Sequence, residues 1–296
     1  MNKNEKVVVV GGSGFLGSHI ADHLSQLGYE VVILDINASK WIQPSQTMII
    51  GSILDPKLVQ EAIEGAKYVY HLAGMADLGE AANNPKETLE NNIMGSANII
   101  EACYKAKIKR LLIASTIYVY SDKGSFYRAS KQAVESIMET YHEHNGLEYT
   151  ILRYGSLYGP RAQPWNGLKR YVNQGIKKGT ITYPGTGEEK REYIHVKDAA
   201  QLSVEAISPE FANECLTLSG TQVMTSYDLL KMIKEISGGK IKLEFSQTET
   251  NYNKFHYSLT PYRYSPRGGK KIIPSSFIDL GQGILELIEE VDSENL

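Results

Sequence analysis

Tyr127 and Lys131 are spaced as Y-x-x-x-K, which puts a phenol and an ammonium group on one face of a helix. A tyrosine pKa is ordinarily roughly 10, so the phenol needs positive charge nearby, from Lys131 and from a cationic ring, to serve as a base at neutral pH. Thr116 ends the preceding apolar run, and its hydroxyl can donate to the substrate oxygen that Tyr127 deprotonates. This spacing also arises by chance on exposed helices, but the three residues together predict a site that deprotonates an alcohol.

A second group of residues suits a ligand that carries phosphates. Gly11, Gly14 and Gly17 follow a run of four valines that ends at Val10, and they precede an amphipathic stretch. In a strand–turn–helix unit, such glycines allow a tight turn, close approach to a diphosphate and close helix packing. Asp35 ends the next apolar run about twenty residues on, where a carboxylate accepts from the ribose hydroxyls of NAD and repels the 2′-phosphate of NADP. The sequence therefore predicts bound NAD; the alternative is a glycine-rich turn without a ligand.

Strand and helix signals alternate through the first half of the chain, which is typical of right-handed βαβ units in a doubly wound parallel sheet. After Arg153 the alternation breaks, and loop signals separate shorter elements. We predict an α/β fold, with a Rossmann-type domain over 1–155, to which 192–212 return, and a smaller substrate-binding α/β domain over 156–296. The predicted strands are 7–10, 30–34, 47–51, 67–72, 110–115, 148–153, 193–196 and 240–245. Besides the amphipathic stretch after the glycines, the predicted helices are 56–65, 86–106, 127–142, 167–178, 197–207, 226–236 and 275–291.

Composition and charge exclude several classes of protein and ligand. A formal net charge of −3 gives no general electrostatic reason to bind nucleic acid or an acidic membrane, and no apolar run reaches the roughly 18 residues of a membrane span. Cys103 and Cys215 lack metal-ligand spacing, so no metal site is predicted, and their small number suits a reducing compartment. The N-terminal sequence lacks signal-peptide features, and we expect a cytoplasmic protein.

Seven segments carry the residues of a known family in the family's order. They are Gly11–Gly17, His71–Gly74 (HLAG), Asn92–Asn98 (NIMGSAN), Ser115–Tyr120 (STIYVY), Tyr127–Lys131, Leu152–Arg161 (LRYGSLYGPR) and Arg191–Asp198 (REYIHVKD). In these segments the chain resembles the extended short-chain dehydrogenase/reductases, in particular the NAD-dependent nucleotide-sugar epimerases and dehydratases of the UDP-glucose 4-epimerase type. The resemblance, over about residues 5–240, implies a domain that holds NAD, a domain that binds a nucleoside-diphosphate sugar, and a homodimer through the helices near 86–106 and 127–142.

The resemblance implies a role for each residue that matches a family position. Thr116, Tyr127 and Lys131 match the catalytic residues, and Arg191 matches an arginine that holds the diphosphate, a role that suits its planar guanidinium. Ser156 stands where the family has a substrate-contacting asparagine. Arg263 lies in a basic, aromatic segment that either contacts the nucleotide or is a solvated loop. The expected cofactor contacts are Gly11, Gly14, Phe15, Leu16, Gly17, Asp35, Ile36, Asn37, Ser52, Ile53, Leu72, Ala73, Gly74 and Asn91, together with Tyr127 and Lys131.

The chain lacks residues that several other reactions of this family need, which reduces the number of reactions that the resemblance implies. Dehydratases of the family carry Thr-Asp-Glu at the strand end, decarboxylases a glutamate at about Tyr118, and reductase-epimerases a cysteine there; this chain has none of them. Tyr127, Thr116 and Lys131 alone sustain alcohol oxidation and its reverse. We therefore expect epimerisation, in which a sugar hydroxyl, at C4, is oxidised to a ketone and the ketone is reduced from its other face. The alternatives are a net dehydrogenase or 4-keto reductase, and a non-enzymatic NAD sensor, against which the intact trio argues.

Other residues have structural interpretations. We expect His71 and His195 to be structural rather than catalytic, and Asp198 to cap or pin the helix that follows it. Only Ser121–Phe126 separate the STIYVY segment from Tyr127, which is a shorter loop than family members carry and should open the mouth of the pocket to a larger substrate.

Overall fold

The computed structural model describes residues 5–220, 223–246 and 256–258, all within one compact unit. Its strands are β1 (Lys6–Val10), β2 (Glu30–Asp35), β3 (Gln46–Ile50), β4 (Tyr68–His71), β5 (Arg110–Thr116), β6 (Tyr149–Tyr154), β7 (Ser156–Tyr158), β8 (Thr180–Tyr183), β9 (Lys190–His195), β10 (Glu214–Leu218), β11 (Val223–Thr225) and β12 (Lys242–Phe245). Its helices are α1 (Phe15–Gln26), α2 (Pro56–Ile63), α3 (Leu78–Asn83), α4 (Pro85–Leu89), α5 (Gly95–Lys105), α6 (Ser125–Asn145), α7 (Gly167–Lys178), α8 (Val196–Glu205) and α9 (Ser226–Ile236). The helix predicted over 275–291 lies outside the described residues.

The main sheet is parallel, with seven strands in the order β10-β6-β5-β4-β1-β2-β3. Helices cover both of its faces, so the predicted doubly wound, Rossmann-type sheet is confirmed. Within 5–220, 223–246 and 256–258, none of the helices contains an apolar stretch of the length that a bilayer span requires.

Strand β1 shows why an apolar run without alternation suits the middle of this sheet. Val7–Val10 are fully buried, because both faces are covered. Val7 and Val9 belong to an apolar cluster with α1 and α8, while Val8 and Val10 belong to a second cluster with α2 and α5. The carboxyl end of β1 is therefore held rigidly at the point where the glycines begin.

Helix α8 and strand β10 bring a later part of the chain back to the main sheet. Ala200 and Val204 of α8 lie in one apolar cluster with Ile20 and Leu24 of α1. Strand β10 then pairs with β6 in parallel along its whole length. The predicted return over 192–212 contains α8, whereas β10 was not predicted. The division of the chain at residues 155 and 156 stays a prediction.

The helix predicted over 86–106 is interrupted in its middle. Helices α4 and α5 are joined by a π-turn at Glu90–Met94, and the short helix α3, which was not predicted, precedes them. A π-turn widens one turn of a helix, and the spacing of apolar residues does not reveal it. Asn92, inside this turn, is buried, and it takes part in the candidate site described below.

Two small sheets, β11-β9-β7 and β12-β8, lie beyond the main sheet. A third apolar cluster around Tyr171, Tyr183 and Leu230 forms their core with α7 and α9. Strand β9 begins at Lys190, earlier than predicted, and leads directly into α8. The small sheet that contains β9 is thereby tied to a helix of the main sheet.

Candidate active site

A cleft of about 890 Å³ opens where β1, β2, β4, β5 and β6 end. Every predicted site residue within the described part of the chain lines it: Gly11, Gly14, Phe15, Leu16, Gly17, Asp35, Ile36, Asn37, Ser52, Ile53, Leu72, Ala73, Gly74, Asn91, Thr116, Tyr127, Lys131, Ser156 and Arg191. Arg263 lies outside the described residues. The fold therefore gathers at one edge of the sheet residues that are far apart in the chain.

The glycine turn leaves no room for side chains on its inner surface. Gly11 has a φ of +85°, and a Cβ there would lie 2.6 Å from the backbone nitrogen of Ala73. A Cβ on Gly17 would lie 2.2 Å from the carbonyl oxygen of Gly11. The N-terminal end of α1 can therefore face the cleft with bare backbone, whose free N–H groups and dipole suit a diphosphate.

The Asp35 carboxylate at the end of β2 is fixed by two backbone donors. The backbone N–H of Ser13 donates to Oδ2 and that of Asn37 donates to Oδ1, both at 3.0 Å. Ser13 Oγ in turn donates to the Asn37 carbonyl oxygen at 2.7 Å. The loop after β2 is thus held against the glycine turn, and the carboxylate lines the cleft where ribose hydroxyls are expected.

Asn92 ties the wall beside β4 to the helix that carries Tyr127. Its Oδ1 accepts from the backbone N–H of Met75 at 2.7 Å, and its Nδ2 donates to the Met75 carbonyl at 3.0 Å and to Ser130 Oγ at 2.9 Å. Ser130 Oγ donates to the Tyr127 carbonyl oxygen at 2.8 Å. The sequence predicts a site role for the neighbouring Asn91 and not for Asn92; Asn91 lines the cleft, while Asn92 is the buried clamp.

Tyr127 and Thr116 both line the cleft, and a hydrogen bond joins their side chains. Burial raises the pKa of the Tyr127 phenol to about 12, while the hydrogen bond with Thr116 acts in the opposite direction. The sequence predicts a Tyr127 pKa lowered by positive charge from Lys131 and a cationic ring. The protein chain alone does the opposite, because Tyr127 is deeply buried and the cost of burying a phenolate exceeds the effect of its neighbours.

Lys131 lies one helical turn from Tyr127 and faces the end of β5. Its Nζ donates to the Ala114 carbonyl oxygen at 2.9 Å and lies 5.9 Å from the centroid of the Tyr127 ring. Burial lowers the pKa of Lys131 to about 8, and the carboxylate of Glu135 acts in the opposite direction. The side chain is therefore mostly an ammonium group at neutral pH, fixed beside the phenol.

The far end of the cleft contains the predicted substrate residues and one that was missed. Arg191 Nη2 donates to the Tyr257 carbonyl oxygen at 3.3 Å, and its guanidinium lies 4.7 Å from the centroid of the Tyr257 ring. Ser156 Oγ lies 3.5 Å from the Tyr257 hydroxyl. Tyr257 carries no motif in the sequence, because its place depends on how a distant segment lies across β9.

Comparison with known proteins fits this geometry. Residues 7–214 match the NAD dependent epimerase/dehydratase family. The chain belongs to that family. Its members use NAD, so the predicted cofactor is confirmed; the glycine turn and the fixed Asp35 carboxylate fit it.

Relatives in the epimerase/dehydratase family include proteins named for different reactions. The UDP-N-acetyl-alpha-D-glucosaminuronate decarboxylase of Bacillus cytotoxicus is 27% identical over 266 residues, which cover 81% of this chain and 82% of that protein. The uncharacterized UDP-glucose epimerase YtcB of Bacillus subtilis is 25% identical over 269 residues, 81% of this chain and 85% of that protein. The crystal structure of UDP-glucose 4-epimerase with UDP-glucose from Thermotoga maritima has a TM-score of 0.80 and 25% identity, and covers 88% of this chain and 90% of that one.

Two histidines of this epimerase/dehydratase chain have the structural roles expected of them. His71 is buried, with Nε2 2.8 Å from Ser96 Oγ, and burial lowers its pKa to about 3, so the ring is neutral. His195 Nδ1 accepts from the backbone N–H of Lys197 at 3.3 Å and caps α8. Of the two roles predicted for Asp198, the cap is wrong, because α8 begins two residues earlier and Asp198 lies in its first turn.

A buried ion pair fixes the helix behind Tyr127 and Lys131. Glu135 accepts from Arg153 through Nε at 3.0 Å and Nη2 at 2.7 Å, and it also bonds the Ser115 hydroxyl. Both side chains are largely buried. The pair joins α6, which carries Lys131, to β6, and the bond to Ser115 joins α6 to β5, which ends at Thr116.

We expect Glu135→Gln to lower the free energy of unfolding by about 3 kcal/mol, because it leaves the Arg153 charge largely buried without its partner. Denaturant unfolding of both proteins measures the change. The matched control is Glu244→Gln, since Glu244 pairs with Lys242 on the surface and should matter little. Equal effects of the two substitutions would contradict a stabilising role for the buried pair.

Proposed function

We propose that this enzyme epimerises a nucleoside-diphosphate sugar at C4, through oxidation of the C4 hydroxyl and reduction of the resulting ketone. The observation that carries the proposal is the hydrogen-bonded Tyr127 and Thr116 pair with Lys131 beside it, in the same cleft as the glycine turn. Along the described stretches, the carboxylates lining this cleft are Asp35, Asp77, Glu80 and Glu87. They belong to β2 and to the segment around α3 and α4, so β5, β7 and β9 contribute none.

Each residue has one task in this reaction. Tyr127 takes the proton of the sugar hydroxyl as its phenolate, and later returns a proton to the same oxygen. Thr116 donates a hydrogen bond to that oxygen and keeps it in line with the phenol. Lys131 supplies positive charge beside Tyr127. Bound NAD supplies the hydride acceptor for the oxidation and the hydride donor for the reduction.

Inversion also requires that the ketone presents its other face before it is reduced. Arg191, at the far end of the cleft, is proposed to hold the diphosphate during this change, because a guanidinium binds phosphate oxygens through two parallel hydrogen bonds. Ser156 is proposed to contact the sugar beside it. The cleft of about 890 Å³ exceeds what one hexose needs.

We expect bound NAD⁺ to lower the pKa of Tyr127 by at least about one unit from its value of about 12 in the protein alone, because a positive charge beside a buried phenol favours the phenolate. Ultraviolet absorbance of tyrosinate, titrated with and without NAD⁺, measures the shift. Tyr127→Phe provides the baseline, because the difference between the two proteins isolates this phenol from the other tyrosines. An unchanged titration would contradict activation of Tyr127 by the cofactor's charge.

A net dehydrogenase or 4-keto reductase remains the second candidate function, since the same three residues serve it. The sharpest test is to incubate the purified enzyme with UDP-, GDP-, CDP- and dTDP-hexoses, with and without added NAD, and to follow products by mass and NMR. Epimer formed at unchanged mass without added NAD is the expected result. Stoichiometric NADH together with a product lighter by two hydrogens would instead identify a net oxidation.

We also propose the homodimer that the resemblance implied, through α4, α5 and α6. Leu89, Met94 and Tyr104 on the α4–α5 segment and Phe126 on α6 have exposed apolar side chains, which a second copy could cover. Sedimentation equilibrium measures the mass directly. The cytoplasmic location stays a prediction.

A further inference from the structure

Tyr118 and His256 form a second polar pair beside the catalytic tyrosine. Tyr118 lies in the single turn of 3-10 helix after β5, and its hydroxyl is 2.7 Å from His256 Nδ1. Its ring lies edge-on to that of Tyr127, with 6.4 Å between centroids. Both members of the pair line the cleft. Neither takes part in the reaction proposed above.

The segment that carries His256 is held in place from three sides. The Ser258 carbonyl oxygen accepts from the backbone N–H of Lys190 at 2.8 Å, which fixes the segment to β9. The Tyr257 ring packs on Tyr118 with 4.7 Å between centroids, and its carbonyl accepts from Arg191. The Tyr118–His256 pair is therefore positioned by the fold rather than by chance contact.

The pair carries no charge. Burial lowers the pKa of His256 to about 3, and the positive charges of Arg191 and Arg170 add to this effect. At neutral pH the pair therefore consists of a phenol and a neutral imidazole, each able to donate or accept a hydrogen bond. The rings of Tyr127 and Tyr257 both pack against the ring of Tyr118.

Building on the proposed function, we propose that the Tyr118–His256 pair determines specificity by hydrogen-bonding the C6 group attached to C5 of the hexose, and that it selects a sugar whose C6 group is uncharged. A hydroxymethyl group can pair with the phenol without leaving a buried charge. A uronate carboxylate at this place would lie against a phenol and a neutral imidazole. Burying an anion beside uncharged groups is far more costly than burying a hydroxyl.

The guanidinium of Arg191 does not change this expectation. It is proposed to hold the diphosphate, so its charge is already matched when the substrate is bound. Arg170 also lines the cleft, but its guanidinium bonds the Tyr171 hydroxyl at 3.4 Å and lies 5.3 Å from the centroid of that ring, so it is engaged with Tyr171. The carboxylates that line the cleft within the described segments lie around β2, α3 and α4, so charge repulsion is not the cause of the selectivity. The selectivity arises from which neutral hydrogen-bond partners the sugar meets.

The direct test compares binding of UDP-glucose and UDP-glucuronic acid to the NAD-loaded enzyme by calorimetry. We expect UDP-glucose to bind at least about tenfold more tightly. Equal binding, or tighter binding of UDP-glucuronic acid, overturns the proposal and would point to Arg170 as partner of the carboxylate. Binding of neither sugar overturns this proposal for uridine sugars, while the sugar panel described above still tests the proposed function.

Variants locate the effect in the pair. Tyr118→Phe and His256→Phe should each reduce the tenfold preference to about threefold or less and raise KM for the neutral sugar more than they lower kcat. His256→Asn should restore much of the preference, because its amide can occupy the place of Nδ1. The matched control is Tyr120→Phe: Tyr120 belongs to the same turn, but its hydroxyl accepts from Arg153 and lies away from the cleft lining.

Outcomes of the variant series separate specificity from structure. A preference that persists in Tyr118→Phe with unchanged NAD content overturns the assignment. An equal loss in Tyr120→Phe would show that the turn as a whole, not the pair, sets the sugar preference. Loss of epimerisation with the binding preference retained would count against the proposed reaction and leave the specificity assignment standing.

Discussion

Tyr127→Phe should lower epimerisation by at least about 10³-fold while the enzyme keeps its NAD. The substitution removes only the hydroxyl that exchanges the proton and bonds Thr116. The bond from Lys131 to Ala114 and the bonds from Asn92 to Ser130 and from Ser130 to the Tyr127 carbonyl do not depend on that hydroxyl, so the helix should stay in place. Turnover is followed by NMR, and NAD content by chromatography of the denatured protein.

Tyr141→Phe is the matched control for this experiment. Tyr141 lies on the same helix α6 and donates to Glu101 at 2.7 Å, but it is absent from the cleft lining. It should leave turnover unchanged. Near-normal epimerisation in Tyr127→Phe would show that another group carries the proton, and the proposed mechanism would fail.

Gly17→Ala should lower NAD content by at least about tenfold and the free energy of unfolding by about 3 kcal/mol. Alanine favours a helix by about 1 kcal/mol over glycine, so propensity alone predicts a more stable protein. A Cβ at this position would lie 2.2 Å from the Gly11 carbonyl oxygen, and backbone cannot move aside as a flexible side chain can. The clash should cost more free energy than the helix propensity of alanine contributes, and the glycine turn should shift from its place below the cleft.

Gly167→Ala makes the same change at the start of α7, where nothing lies within 4 Å of the added Cβ. It should unfold at the same or slightly higher denaturant concentration than the native protein. If Gly17→Ala resembled this control in stability and in NAD content, close packing of α1 on the turn would not be what positions the cofactor.

The residues of the glycine turn and of the Tyr127–Lys131 helix that line the cleft could be predicted because their patterns are local. The glycine turn, Asp35, and the spacing of Tyr127 and Lys131 each depend on neighbours within one βα unit. Tyr118 and Asn92 could not be assigned in the same way. Asn92 differs from Asn91 only through a π-turn, which shifts which side chain faces inward. Tyr118 acquires its partner His256 from a segment 138 residues away.

The pKa of Tyr127 also lay beyond sequence reasoning. The sequence places Lys131 one turn away, but it does not say how deeply the phenol is buried. In the structure burial raises the pKa of Tyr127, the hydrogen bond with Thr116 offsets this only in part, and the shift is opposite to the expected one. Strand β10 could not be predicted for a similar reason. Its five residues form a strand because they pair with the edge of β6, and the sequence does not show that this edge is open.

That late strand has a consequence for synthesis of the protein. A fragment ending at residue 155 would expose the hydrogen-bonding groups along one side of β6, and it would uncover the apolar side of α1 that α8 protects. Such open edges promote aggregation. The main sheet is therefore completed late: a nascent chain can add its seventh strand only after Leu218 has left the ribosome.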